Sequence, residues 1–237
     1  MASMDKVVGI IGGMGPEATV DFMSRVLLAT PAVKDQDHVR MIVENNPQIP
    51  SRQAAMKGEG EDPGAAIAAI AARLEMAAAD FLVMPCNLAH AWRSDIESAV
   101  SIPFISIIDQ SVQSALHRSD DGSAVGLMTT PGCFTAGLYQ RALAETDRPV
   151  ILQTPNELLA TMSLVERIKG GDKSRAVTTG LRRLADELIN RGAKVLIAAC
   201  TEFPLVLDES MFSATFISST DVLAKKTVSL ALSGNSS

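Results

Sequence analysis

Short apolar runs rich in β-branched residues alternate along this chain with longer stretches whose apolar residues recur at helical spacing. Eight runs have the length and composition of buried strands: KVVGII, VRMIVEN, DFLVMP, PFISII, SAVGLMT, PVILQT, KVLIAA and TFISS. Strands that alternate with helices are typical of parallel βαβ units. The pattern therefore predicts an α/β fold with mostly parallel sheets flanked by helices.

The two halves of the chain resemble each other. KVVGIIGGMG near the start matches SAVGLMTTPG further along, and DFLVMPCN matches KVLIAACT. The aligned glycines, Gly9 and Gly126, are 117 positions apart, and the aligned cysteines, Cys86 and Cys200, are 114 apart. Two matches in order at a nearly constant offset predict two pseudo-symmetric lobes, with the active site in the cleft between them. We expect the first lobe at 1–110, with a C-terminal helix at 219–237 returning to it, and the second at 111–218.

The bulk composition narrows the class of protein. The chain has 237 residues, is 47% hydrophobic, and has a net charge of -6 and a pI near 5.1. This acidic balance argues against nucleic acid as a partner, because phosphate-backbone binding depends on Lys and Arg. The most apolar helical stretch carries Arg73 and Glu75, which predicts a packed helix and no membrane span. No basic leader precedes the first apolar run, so we expect a cytoplasmic protein.

The chain has three cysteines, Cys86, Cys133 and Cys200, without the C-x-x-C spacing of a structural zinc site. An odd number of cysteines does not fit a disulfide framework, so reduced thiols are expected. Cys86 and Cys200 each follow a predicted strand, and ligands of open parallel sheets bind beyond the carboxyl ends of the strands. Because free cysteine is often only a small buried hydrophobic residue, we assign that role to Cys133.

Two equivalent acid/base groups on opposite sides of a small molecule suit the inversion of a stereocentre. One group removes a proton from one face while the other delivers a proton to the opposite face. A thiolate between a strand and a helix N-terminus is favoured by the aligned backbone N–H groups. We therefore expect Cys86 and Cys200 to be the catalytic pair, with thiol pKa values lowered toward neutrality.

Three motifs, GIIGGMGPEAT, PCNLAH and CTEFP, resemble the aspartate/glutamate racemase family, specifically its aspartate racemase branch. The resemblance covers nearly the whole chain. It implies two pseudo-symmetric α/β lobes and racemisation of aspartate or glutamate without cofactor or metal, with Cys86 and Cys200 as the two bases. We also expect a homodimer. Relatives that isomerise maleate, racemise hydantoins or decarboxylate malonates leave the substrate open.

The predicted substrate-binding residues are Met14, Arg52, Asn87, Leu88, Thr130, Lys169, Thr201 and Glu202. The resemblance implies that Met14 contacts the substrate and that Arg52, in NNPQIPSR, and Lys169, in VERIKGGD, bind its side-chain carboxylate. Arginine can bind a carboxylate through two hydrogen bonds. A lysine before Gly-Gly is also an ordinary helix end, so Lys169 has a second interpretation.

The residues that follow the cysteines have two possible roles each. An amide or hydroxyl at Asn87 or Thr201 can hold the substrate α-carboxylate or cap a helix. Glu202 resembles the family's acidic residue, which binds the substrate ammonium or orients a proton, and it can equally be a solvated charge. Leu88 stands where the family has threonine. This chain therefore lacks one hydroxyl donor, a loss worth about 1 kcal/mol, or has a changed substrate.

Two other functions are consistent with parts of the sequence. The stretch 13–18 fits the G-x-G-x-x-A fingerprint of a dinucleotide site, with Glu44 placed for a ribose, but this leaves the second cysteine lobe unexplained. Leu88 motivates a dicarboxylate-binding protein that does not exchange a proton. His90, one helical turn after Cys86, either contacts the thiolate or is satisfied by the backbone.

Overall fold

The computed structural model describes residues 6–233, so the chain ends of the predicted lobe boundaries, 1 and 237, lie outside the described residues. The chain divides into two compact units. Ile108–Val222 forms the second unit, and the rest of the described chain forms the first. Within residues 6–233, no helix combines the length and the apolar character needed to cross a membrane.

The first unit is a parallel α/β sheet with helices between its strands. Its elements in chain order are β1 (Val8–Gly12), α1 (Pro16–Ala29), β2 (Met41–Asn45), α2 (Arg52–Lys57), α3 (Gly64–Met76), β3 (Phe81–Val83), α4 (Arg93–Ala99) and β4 (Phe104–Ile105). The strand order is β2-β1-β3-β4, and all the pairings are parallel.

The second unit repeats this plan. Its elements are α5 (Ile107–His117), β5 (Val125–Thr129), α6 (Pro131–Thr135), α7 (Leu138–Ala144), β6 (Val150–Leu152), α8 (Pro155–Lys169), α9 (Arg175–Asn190), β7 (Val195–Ala199), β8 (Thr215–Ser218) and the start of α10 (Ser219–Leu232). Ile107, the first residue of α5, and the part of α10 from Leu223 onward belong to the first unit. The strand order is β6-β5-β7-β8, again with parallel pairings. All eight predicted strands are present, and the predicted fold class, α/β with parallel sheets, is confirmed.

The repeat extends to the packing between the sheets and their helices. Gly9 in β1 and Gly126 in β5 leave no room for a side chain, because a Cβ on either one would lie within 3.0 Å of a leucine side chain. The neighbours of the two positions correspond one to one: Leu74, Ala79 and Leu82 around Gly9, and Leu188, Ala193 and Leu196 around Gly126. In both units, therefore, the helix before the third strand packs against the sheet in the same way.

Local sequence signals account for most helix ends. Proline occupies the first turn of α1, α6 and α8, where its missing N–H costs no hydrogen bond. Thr154 and Glu157 form a capping box at the start of α8. Gly137 adopts a φ of +63° between α6 and α7, and this left-handed residue divides the helical segment that follows Thr130 into two helices.

Candidate active site

Each sheet has a topological switch point between its first and third strands. In the first unit β1 leads to β2 on one side, and the chain then crosses to β3 on the other; β5, β6 and β7 do the same in the second unit. Ligands of open α/β sheets bind outside the carboxyl ends of the strands at this point. In the first unit the residues there are the glycine turn 12–15 and Cys86, and in the second they are Thr130 and Cys200.

Cys86 lies just beyond β3 and is buried. It belongs to an apolar cluster that includes Met14, Ile49 and Trp92, so the structure brings the predicted substrate contact Met14 into the same cluster as the thiol. The Cys86 N–H donates to the Met84 carbonyl at 2.8 Å, which makes a tight turn directly after the strand. A 3-10 turn, Leu88–Trp92, follows.

His90 is bonded to the backbone through both ring nitrogens. Its Nδ1 lies 2.8 Å from the Cys86 carbonyl oxygen, and its Nε2 accepts the Ile107 N–H at 3.1 Å. A carbonyl oxygen only accepts, so Nδ1 carries the ring proton and the imidazole is neutral. Of the two predicted roles for His90, the structure shows the backbone-satisfied one. His90 thereby links the backbone carbonyl of Cys86 to the backbone N–H of Ile107 at the start of α5.

The glycine turn after β1 makes close contacts to other residues of the first unit. The Gly13 N–H donates to Thr19 Oγ1 at 2.9 Å, and Pro16, the first residue of α1, has no N–H to donate. A Cβ on Gly13 would lie 2.1 Å from the Asn46 carbonyl oxygen. The close backbone approach that needs glycine at position 13 is therefore to residue 46 of the same unit, and neither Gly13 nor Pro16 offers a free N–H group to a pyrophosphate.

Two charged side chains near the carboxyl edge of the first sheet also have partners within their own unit. Arg52, the first residue of α2, donates through Nη1 to the carbonyls of Ile49 and Pro50, both at 2.9 Å. Glu44, which the dinucleotide interpretation would place on a ribose, lies in β2 and accepts Arg73 Nε at 2.9 Å. A salt-bridged Glu44 disfavours that interpretation further.

In the second unit Cys200 is hydrogen-bonded to a buried carboxylate. Its Sγ donates to Glu202 Oε2 at 2.9 Å, and Lys169 Nζ lies 3.6 Å from Glu202 Oε1. The Glu202 side chain is 6% exposed and that of Lys169 is 42% exposed, so the cation sits at the solvent side of the pair. The 3.6 Å separation is too long for a hydrogen bond, and within residues 6–233 Oε1 accepts none. The structure thus joins the predicted residues Lys169, Glu202 and Cys200 in one chain of contacts.

The expected lowering of the thiol pKa is wrong for Cys200. Burial raises the pKa of this thiol well above its ordinary value, and the adjacent Glu202 carboxylate raises it further, while the Lys169 charge opposes the shift. The helix N-terminus that the prediction relied on is also missing, because only a three-residue 3-10 turn, Phe203–Leu205, follows. Cys200 is therefore a protonated thiol at neutral pH.

The remaining predicted residues are buried beside the two cysteines. Asn87, Leu88, Thr130 and Thr201 all have buried side chains next to the carboxyl edge of their sheet. Neither Asn87 nor Thr130 uses its side chain to cap the helical turn that follows it. In the second unit the turn after Cys200 begins at Glu202, without a side-chain cap. The capping role considered for Asn87 and Thr201 is thus not seen.

Sequence reasoning missed two buried polar residues of the second unit. Gln153, after β6, accepts the Thr129 N–H at 2.8 Å and donates to Thr161 Oγ1 at 2.7 Å, which fixes the carboxyl end of β5. Tyr139 in α7 is fully buried, and its hydroxyl bonds to Ser111 and Ser219. The sequence signal for Gln153 is a glutamine directly after an apolar strand; Tyr139, on a helical stretch, has no distinctive signal.

A repeated parallel α/β fold, with a buried thiol and buried polar side chains at the switch point of each sheet, has the layout of an α/β enzyme. The family model described as Asp/Glu/Hydantoin racemase matches residues 11–227, so the chain belongs to that family and is an isomerase of the racemase type. The resemblance carried by the three sequence motifs is confirmed at the level of the family.

Individual relatives agree with this assignment. The broad specificity amino-acid racemase RacX of Bacillus subtilis (strain 168) is 29% identical over 232 residues, covering 94% of this chain and 97% of its own. The structure of Picrophilus torridus aspartate racemase has a TM-score of 0.82 at 30% identity and covers 95% of this chain and 94% of its own. An aspartate racemase homologue from Pyrococcus horikoshii, at 22% identity, has a TM-score of 0.74 over 96% of this chain and 99% of its own, which shows a common fold.

Proposed function

We propose that this chain racemises an acidic amino acid, aspartate or glutamate, by proton transfer at Cα between Cys86 and Cys200, without pyridoxal phosphate or metal. The observation that carries the proposal is the equivalence of the two thiols. Each lies beyond the third strand of a repeated unit, at the switch point of its sheet. A reaction that inverts a stereocentre needs one acid/base group for each face, and this repeat supplies two groups of the same type.

The hydrogen bond to Glu202 supports Cys200 as the thiol that is protonated at rest. Cys200 Sγ donates to a carboxylate and has a raised pKa, so it rests as the proton donor. Cys86 then acts first as the thiolate: it takes the Cα proton and becomes a thiol, leaving the electron pair delocalised into the substrate carboxylate. Cys200 gives its proton to the opposite face and becomes a thiolate. For the other enantiomer the roles reverse. Cys200 passes its proton to Glu202, whose Oε2 lies 2.9 Å from Sγ, and then takes the Cα proton. Cys86, protonated from solvent, gives its proton to the opposite face and becomes the thiolate.

Charge supports an acidic amino acid as the substrate. Oε1 of Glu202 is buried and accepts no hydrogen bond within the described residues, so it is available to a substrate ammonium. Lys169 and Arg52 supply cations suited to a side-chain carboxylate, since the Arg52 guanidinium uses only Nη1 in its bonds to the loop. The aspartate racemase of Picrophilus torridus supports the same choice.

Leu88 supports a second candidate, a racemase that accepts less polar amino acids. Its buried side chain directly follows Asn87 and offers no hydroxyl for hydrogen bonding. The relative from Bacillus subtilis, described as having broad specificity, supports the same alternative. A panel of single enantiomers separates the two: aspartate and glutamate against alanine, leucine, lysine and arginine, followed by chiral chromatography. Turnover of the neutral or basic members at rates equal to or above aspartate would favour the second candidate.

Single cysteine variants test the catalytic pair. Cys86→Ala and Cys200→Ala should each lose nearly all turnover, and the double variant should lose little more, because the two thiols act as a unit. Cys133→Ala is the matched control, since Cys133 is also a buried cysteine outside any disulfide but lies in α6. It should keep native turnover. Turnover of Cys200→Ala near the native rate, or a requirement for added pyridoxal phosphate, would contradict the proposal.

The same proposal includes a cytoplasmic homodimer. Three cysteines that form no disulfide suit a reducing compartment. Helix α1 exposes the apolar side chains of Val20, Leu27 and Leu28, a feature that a subunit interface would cover. Light scattering coupled to size exclusion should give twice the chain mass of 25.1 kDa. A single species at the chain mass across micromolar concentrations would exclude the dimer.

A further inference from the structure

A groove lies between α8 and α9 on the second unit. It encloses about 610 Å³ and has an apolar floor with a polar rim. The residues that matter here are Leu164, Gly180 and Leu184 on the floor, and Arg175, Thr179 and Arg183 on the rim. None of them takes part in the proposed racemase chemistry.

The rim arginines differ from the other arginines around them. Five arginines lie between residues 155 and 191. Three of them are paired with carboxylates: Arg167 with Asp172 at 2.7 Å, Arg182 with Asp186 at 3.7 Å, and Arg191 with Glu157 at 2.7 Å. The side chains of Arg175 and Arg183 have no ion pair or hydrogen bond to any residue in 6–233. The two guanidinium groups without a partner are thus the two that face the groove.

The rim has a defined spacing. Arg175, Thr179 and Arg183 are four residues apart in α9 and so lie along one face of the helix. Eight residues of α-helix rise about 12 Å. The two arginines therefore present two separated positive charges, with a hydroxyl between them, and not one combined anion site.

Gly180 shapes the floor. It lies inside α9, where glycine is less favourable than alanine. A Cβ at this position would approach Leu164 Cδ1 to 3.0 Å, so glycine lets α8 and α9 pack closely. Together with Leu164 and Leu184, Gly180 forms an apolar strip that lines the groove alongside the two arginines.

We propose that this groove binds a small amphipathic dianion, with an acidic group at each end and an apolar middle. Each acidic group would pair with one arginine, and the apolar middle would cover the strip formed by Leu164, Gly180 and Leu184. The volume lies within the range of small-molecule pockets, which favours a small ligand over a protein segment. Binding here is independent of the proposed racemase reaction, because it uses none of the same residues.

Decanedioate is a suitable probe, because its carboxylates are separated by roughly the rise of eight helical residues. Titration calorimetry of the native chain should show one saturable site. Decanoate, with one carboxylate, should bind about tenfold or more weakly, and decane-1,10-diol should not bind measurably, because each missing carboxylate removes one charge-assisted contact. Affinity for decanedioate should fall as sodium chloride is raised, since the groove is open to solvent.

The Arg175→Gln, Arg183→Gln double variant assigns the site. It should lose decanedioate binding and keep native racemase turnover, which also shows that it is folded. Arg182→Gln is the matched control: Arg182 adjoins Arg183 but pairs with Asp186 and does not line the groove. It should bind the probe as the native chain does. Undiminished binding in the double variant, equal affinity for decanoate, or no saturable binding to the native chain would each overturn the proposal.

Discussion

Replacement of Gly13 by alanine measures how tightly the turn after β1 is held against the loop after β2. Gly13 has a φ of +98°, and a Cβ there would lie 2.1 Å from the Asn46 carbonyl oxygen and 2.6 Å from its nitrogen. Ordinary contacts begin near 3.4 Å, so the backbone would have to move by about 1 Å. That shift would disturb the Asn46 N–H bond to the Gly12 carbonyl. Gly58, with a φ of +73° and nothing within 4 Å of its Cβ position, is a matched control in the same unit.

The two glycines separate backbone strain from steric conflict. A left-handed φ alone costs an L-residue about 1 kcal/mol, so Gly58→Ala should lower the free energy of unfolding by that amount. Gly13→Ala adds an overpacking term of about 1–3 kcal/mol and should cost about 2–4 kcal/mol. Trp92 is the sole tryptophan of the chain and is buried in the first unit, so its fluorescence in urea reports on the unit that contains both glycines. Equal losses in the two variants would refute the steric argument.

Two further substitutions test the hydrogen bonds around the thiols. Burial and the Glu202 carboxylate both raise the pKa of Cys200, so Glu202→Gln should lower this pKa toward its ordinary value. Iodoacetamide should then modify Cys200 faster at pH 8, as followed by peptide mass spectrometry. An unchanged rate of modification would contradict the effect of Glu202 on the thiol pKa. His90→Ala leaves the buried Ile107 N–H without its acceptor and should cost about 1–3 kcal/mol or more of unfolding free energy, whereas the exposed His117→Ala should stay within about 0.5 kcal/mol. Equal losses of unfolding free energy in the two histidine variants would contradict a stabilising role for the hydrogen bonds of His90 to the backbone.

The strands were predictable because buried parallel strands appear in the sequence as apolar runs. The repeat was predictable because both halves have glycine, leucine and cysteine at matching positions. Gly9 and Gly126 show this at the level of single contacts. The positions of Cys86 and Cys200 at strand ends follow from the same pattern. The strands, the repeat and the cysteine positions all depend on short segments of sequence, so the order of apolar and polar residues is sufficient to predict them.

The properties that sequence reasoning missed depend on contacts distant in the chain. His90 is fixed by the N–H of Ile107, 17 residues later, and Gly13 is required by Asn46 across the sheet edge. The pKa of Cys200 has the opposite direction from the prediction because burial and the Glu202 carboxylate outweigh any backbone dipole. The opposing contributions to a pKa depend on the positions of the surrounding side chains, and the spacing of residues in the sequence does not determine those positions.

The measurement that tests the central claim most directly is isotope incorporation during the first turnovers. A single enantiomer of aspartate, or of glutamate if that is the better substrate, is incubated with the native chain in deuterated water, without pyridoxal phosphate and with a chelator. Each thiol serves one face: the thiolate keeps the proton it removes, while the opposite thiol, equilibrated with solvent, delivers deuterium. We therefore predict that the product enantiomer carries deuterium at Cα from the start and that the recovered substrate enantiomer does not. Equal early labelling of both enantiomers, or racemisation without deuterium incorporation, would contradict the assignment of Cys86 and Cys200 as two separate bases.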